Sequence, residues 1–325
     1  MLRTYGPGCD GRVIDAGRER IPDEASWIDL EHPTKEEEKL VEQCVGVNVP
    51  TQAEMDEIEP SSRLYEQNGA LFMTVSALRG VDETHPTTTP LGFVLAGNRL
   101  VTIRYANPKP VRSFESHARR DPELVRDGPT ALVRLLDAII DRLADEIERV
   151  GATMEQLSQQ IFQEQQDERR IPAAKLTALL TSIGRTQTLL TKIRYSGVST
   201  LRMLSFLGGS TMVHDQAQKD LRHHVTSLTT DVTSLGEHAS FLSDNLTFLL
   251  DASLGLISIE QNAAMKLFSW AAVVFLPPTL IAGIFGMNFH YMPELNWRWG
   301  YAASLVLMLV SAIGPYLYFK KRGWI

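Results

Sequence analysis

The sequence predicts an α+β protein: an N-terminal cytoplasmic α/β domain, a long helical stalk and two C-terminal transmembrane helices. Three observations carry this. Two runs of about 21 residues, Leu267 to Met287 and Trp299 to Phe319, contain no charged residue. A heptad series of leucines leads straight into the first run. The opening 125 residues mix β-rich segments with helix-start signals and carry no such series.

In the first region, residues 1–125, WIDL (27–30) reads as a strand. Thr34 follows it as an N-cap, with Glu37 three residues on, which is the capping-box arrangement at the head of KEEEKLVEQCV. LFMTVSAL (71–78) is a second strand, and LGFVLAGNRLVTIRY (91–105) is a hairpin turning at Gly97-Asn98. Pro108 and Pro110 end that stretch. From Pro129 the pattern is helical, and the range 126–207 reads as two long antiparallel helices separated by the polar break QEQQDERRIP.

The range 210–287 is expected to be one helix that starts in water and ends in lipid. Leu221, Leu228, Leu235, Leu242, Leu249 and Leu256 recur every seven residues, with Val225, Val232, Ala239 and Leu246 four residues after the first four. Such a seam specifies a long packed helix. The first span occupies about 266–287, a loop 288–298, the second span 299–319 and a basic tail 320–325. At about 1.5 Å per residue, a helix needs about 20 apolar residues to cross the hydrocarbon. Lys320, Lys321 and Arg322 follow the second span, whereas the loop holds one arginine, Arg298. The positive-inside rule therefore places both termini in the cytoplasm. The N-terminus shows no apolar signal segment.

The net charge of −7 argues against a nucleic-acid partner. The two cysteines, Cys9 and Cys44, have no ligand-like spacing and are expected to be free thiols. No nucleophile–base pair suggests an enzyme, and no GxxxxGK[ST] loop suggests a nucleotide.

Two residues on from the leucine seam, about 200° around the helix, runs a polar or small face. It comprises Asp251, Gly255, Ser258, Asn262, Met265, Ser269, Ala272, Leu276, Thr279, Gly283 and Gly286. A small-residue helix contact would use such a stripe. So would a pore, if several copies surround one axis; Met265 and Leu276 then form apolar rings, and Asp251, Asn262 and Thr279 polar ones. Pro277-Pro278 removes two backbone donors just before Thr279.

Gly286-Met287-Asn288 at the outer end of the first span, followed by Met292-Pro293-Glu294-Leu295, resembles the CorA family of magnesium/cobalt channels. That family carries a GMN tripeptide and an MPEL loop between two C-terminal spans. The resemblance implies a homopentamer in the bacterial inner membrane that admits Mg2+, with Co2+ and Ni2+ as related cations, down its electrochemical gradient. The hydrated ion would be selected by Gly286, Met287 and Asn288, and Glu294 would concentrate cations outside. Mg2+ would be the substrate and also a regulatory ligand between subunits, without nucleotide. The family's regulatory carboxylate on the pore helix falls at Ser227 here; Asp231, one turn away, with Asp82 and Glu83, is the alternative set. The intact MPEL loop favours magnesium over the zinc transport of the related ZntB branch. A membrane-anchored coiled-coil interaction protein without a pore is the alternative of another class.

Overall fold

The computed structural model describes residues 1–57, 59, 63–81, 86–162, 173–210, 219–287, 290, 292 and 297–322. Described residues up to Leu250 form one unit, and those from Asp251 onward another.

The first unit is organised by a seven-stranded sheet. Its strands are β1 (Leu2–Gly6), β2 (Cys9–Ile14), β3 (Trp27–Glu31), β4 (Leu64–Gln67), β5 (Ala70–Arg79), β6 (Thr87–Ala96) and β7 (Arg99–Arg104). The spatial order is β2-β1-β3-β7-β6-β5-β4. Every neighbouring pair is antiparallel except β3 and β7. The β6–β7 hairpin turns where the sequence predicts, and Gly97 takes the left-handed φ of +59° that an unsubstituted Cα accepts without strain.

Alternate residues of the central strands serve two cores, because successive side chains of a strand point to opposite faces. Leu71, Met73, Val75, Phe93 and Leu100 belong to one core, and Phe72, Val94, Val101 and Ile103 to the other. Helices α1 (Lys35–Val45) and α2 (Gln52–Asp56) cover the second face through Val41 and Met55. The Thr34–Glu37 capping box forms as predicted: Thr34 Oγ1 accepts from Glu37 N at 3.3 Å, and Thr34 N donates to the Glu37 carboxylate at 2.9 Å. On the first face lie α3 (Lys109–Ala118), a 3-10 turn (Pro122–Val125), and the long helices α4 (Gly128–Phe162) and α5 (Ala173–Gly209). The early residues Leu135 and Leu136 of α4 share a core with the late residues Leu204 and Leu207 of α5, so the two run antiparallel.

Helix α6 (Lys219–Phe285) is 67 residues long. In the first unit its buried positions are Val225, Leu228, Val232, Ala239, Leu242, Leu246 and Leu249, which is the predicted seam with alternating spacings of three and four or seven. Gln187 of α5 donates to Ser243 of α6 at 3.0 Å and fixes their register.

A buried charge network that no local pattern in the sequence marks ties three strands to α3. Arg104 is fully buried and donates to Asp29 at 2.8 Å and to Glu115 at 2.6 Å. Arg3 reaches Glu31 at 3.1 Å and Glu115 at 3.2 Å. Asp29 also accepts from Thr102 at 2.6 Å, and Thr102 accepts from the Trp27 indole at 3.0 Å. Burial pushes the Glu115 carboxyl above its ordinary range and the Asp29 charge adds to the push, while the two guanidiniums oppose it.

Candidate functional site

The second unit contains the membrane-crossing part of α6 and α7 (Gly300–Lys321). Both helices carry stretches long and apolar enough to span a bilayer, with mean hydropathy 1.9 and 1.8. Their large side chains point outward: Phe268 is 73% exposed and Phe275 is 69% exposed. In water this arrangement would be costly, at about 25 cal/mol for each Å² of apolar surface left wet. In hydrocarbon it costs nothing of the kind.

Helix α7 covers only one side of α6. Trp270 meets Phe319 edge-on at 5.6 Å, and Trp270, Val274, Pro277, Ile281 and Phe285 are partly covered. These residues recur at helical spacing and define one face. At 100° per residue the predicted stripe lies about 100–180° around the helix from that face, and its lower residues Asn262, Met265 and Ser269 share a cavity with Trp270 and Phe319. Asp251, Ser258, Asn262, Met265, Ser269, Ala272, Leu276, Thr279 and Gly283 are all exposed. An open groove of about 700 Å³ runs along this side past Ala272, Leu276, Thr279, Gly283 and Met287.

The hydroxyls of the stripe have a defined polarity. Ser258 donates to the Leu254 carbonyl at 3.1 Å, Ser269 to Met265 at 2.9 Å, and Thr279 to Phe275 at 2.6 Å. Each hydroxyl has one proton, and it is committed to the helix, so the lone pairs face outward as acceptors. Water bound to a cation presents its hydrogens outward, and acceptors are what such a hydration shell needs. Pro277 and Pro278 sit inside the helix and supply no N–H to the carbonyls of Val273 and Val274.

The helix closes at the tripeptide. Gly286 N donates to Ala282 O at 2.9 Å, and Met287 N to Ile284 O at 3.3 Å, a tightening of the last turn. A Cβ on Gly286 would stand 3.1 Å from the Ala282 carbonyl oxygen. Glycine is thus suited here by space. Gly286 and Met287 are exposed, whereas Asn288, Glu294, Asp82 and Glu83 lie outside the described residues.

Asp231 lies on the exposed surface of α6, and its charge acts on Asp141 of α4 together with those of Asp137 and Asp145. Burial and these neighbours raise the Asp141 carboxyl above its usual range. Among the described residues, no three acidic, histidine or cysteine side chains converge to hold a metal ion. His223 is exposed, while His224 Nε2 stands 3.6 Å from Asp137, a contact between α6 and α4 that adjacency in sequence does not reveal. Both cysteines are free thiols.

The family model described as CorA-like Mg2+ transporter protein matches residues 22–321. The magnesium transport protein CorA of Escherichia coli K12 is 34% identical over 308 residues, covering 93% of this chain and 92% of that protein. Its counterpart in Salmonella typhimurium LT2 is 33% identical over 309 residues, with 93% and 92% covered. The structure of the CorA magnesium transporter from Methanocaldococcus jannaschii superposes with a TM-score of 0.78 at 22% identity, covering 100% of this chain and 98% of that one. The layout of a mixed sheet, long helix and two apolar C-terminal helices is therefore the CorA-like fold, and the two apolar helices are membrane spans. The chain belongs to the CorA family of Mg2+ transporters.

Proposed function

We propose that this chain is the subunit of an oligomeric channel, a homopentamer, that admits Mg2+ to the cytoplasm across the bacterial inner membrane. The observation that carries the reading is the exposed acceptor-rich stripe of α6, separate from the Trp270–Phe285 face that α7 covers and leading in sequence to Gly286-Met287-Asn288. Copies arranged about an axis with this stripe inward enclose a wet path in which Met265 and Leu276 are apolar constrictions.

Mg2+ dehydrates reluctantly and prefers octahedral oxygen at about 2.0–2.1 Å. A ring of Asn288 carboxamide oxygens and Gly286 carbonyls accepts hydrogen bonds from the ion's waters without stripping them. Neutral oxygens hold the ion more weakly than carboxylates would, so it can leave again. Glu294 at the mouth raises the local cation concentration, an effect that salt screens. A divalent ion falling through 100 mV gains about 4.6 kcal/mol, twice the single-charge value, so influx needs no nucleotide. Asp231, with Asp82 and Glu83 of a neighbouring copy, is the corresponding set for regulatory Mg2+.

The test is Mg2+ uptake by magnesium-starved, transport-deficient cells expressing the chain. Wild type is expected to restore uptake and Asn288→Ala to abolish nearly all of it. Uptake unchanged by Asn288→Ala would favour a pore-free interaction protein. Vesicle flux of Zn2+ without Mg2+ would favour zinc transport instead.

A further inference from the structure

A second polar site lies in the first unit, at the open edge of the sheet. Strand β4 pairs with β5 only as far as Leu64 opposite Met73. Beyond that point no strand among the described residues lies beside the outer edge of β5, and edge groups need other partners. Helix α5 presents Tyr195, Ser199 and Arg202 to this edge from one face, at spacings of four and three, and Ser199 supplies a partner to the backbone. The Ser199 hydroxyl accepts from Ser76 N at 3.0 Å. Arg63, immediately before β4, donates from Nη1 to the Ser76 hydroxyl at 3.3 Å and from Nε to the Glu57 carbonyl.

These groups surround a cavity of about 90 Å³, whose polar lining comprises Arg63, Thr74, Tyr195, Ser199 and Arg202. Thr74 is buried, as is Ser76 beside it. Among the described residues the lining contains no carboxylate, and neither guanidinium forms an ion pair with a described acid. Arg202 makes no hydrogen bond with a described residue. Two positive charges thus converge with hydroxyl donors on one small space. Tyr195 registers the field: its phenol is held below the ordinary range by its hydrogen bond with Ser76 and by the charges of Arg63 and Arg202.

We infer that this cavity is an oxyanion site that takes a phosphate group. Arg202, which is exposed and makes no hydrogen bond with a described residue, offers paired N–H groups that reach two oxygens of a tetrahedral oxyanion at once, while Arg63, held by Glu57 and Ser76, adds its charge. A phosphate group brings a charge of about −1.5 to −2 and three strong acceptor oxygens, which meets the two arginines and the hydroxyls. The volume is well below the roughly 300 Å³ at which sites for whole organic ligands begin. It therefore suits free orthophosphate or the phosphoryl end of a molecule whose remainder stays outside. A ligand held there links the sheet edge to α5.

Binding of orthophosphate to the full chain in nanodiscs, in Mg2+-free buffer, tests this by 31P line broadening and calorimetry. Saturable binding is expected, weakened about tenfold or more by Arg202→Gln and by Arg63→Gln, as loss of a hydrogen bond to a charged group implies. Arg202→Gln is the safer variant for folding, and unchanged thermal unfolding without phosphate checks it. Tighter binding of methyl phosphate identifies a phosphomonoester as the ligand, and tighter binding of orthophosphate identifies the free ion. Absence of saturable binding by wild type, or binding by both glutamine variants equal to wild type, overturns the inference. The measurement reads no metal flux, so its failure leaves the transport reading untouched.

Discussion

Helix α6 obeys opposite rules in its two halves. Before Leu250, the apolar side chains of its seam are inside, with Leu242 2% exposed and Leu246 1% exposed, while Phe241 and Phe248 off the seam stay exposed. After Asp251 the large apolar side chains are outside: Leu267 is 66% exposed and Leu280 is 65% exposed. One backbone and one periodicity thus serve two solvents. Water drives the first set inward, at about 1.5–3 kcal/mol for each fully buried side chain. Lipid is as apolar as leucine and gives no such drive, so in the second half the polar and small residues carry the specific contacts. The direction of the acceptor stripe is therefore informative in the second half, whereas a polar stripe in the first half is an ordinary solvated face.

The first half belongs to a unit whose order depends on burial, and its most sensitive point is the Arg104 network. Arg104→Met leaves the buried Asp29 without its countercharge and Glu31 and Glu115 with Arg3 alone. A loss of about 3–5 kcal/mol is expected, read by denaturant unfolding of the full chain in detergent. A loss under about 1 kcal/mol would mean that the network is wet and that the unit is less dependent on burial than its geometry implies.

The comparison itself is tested by a matched pair. Leu246→Ala should cost about 2–5 kcal/mol in the same assay. Leu280→Ala should change stability by no more than about 0.5 kcal/mol, the usual range for a site with few contacts within the chain. Equal losses for the two would break the contrast between the halves.

The smallest effect expected is a pH slope. Glu115 binds its proton more tightly in the folded chain than its ordinary value of 4.5, first because it is buried and next because Asp29 is charged. The native state then holds more protons than the unfolded state, so this contribution to stability is complete below about pH 4.5 and is lost as pH rises through the folded value. Glu115→Gln should flatten that part of the stability profile. A profile that keeps the same slope in the variant would assign the proton to another group.

Much of this could be read from particular residues. The Thr34–Glu37 box, the Gly97 turn and the leucine seam are local or periodic, and the structure contains each of them. The β1–β2 hairpin has no such signal, since residues 2–14 show no clean alternation of apolar and polar positions. The Arg104–Asp29 pair joins positions 75 residues apart. Its only advance sign is a charge of each sign inside two apolar strands, WIDL and LVTIR.

Sequence by itself determined the two spans, the long helix, the stripe and the tripeptide that ends it, because each follows from a period or a run along one chain. Tertiary structure alone decided which side of α6 is covered by α7 and that Arg63 and Arg202 line one cavity at the end of β4. Those features depend on which distant segments become neighbours. That choice follows from the summed burial and hydrogen bonding of the whole unit rather than from any local pattern.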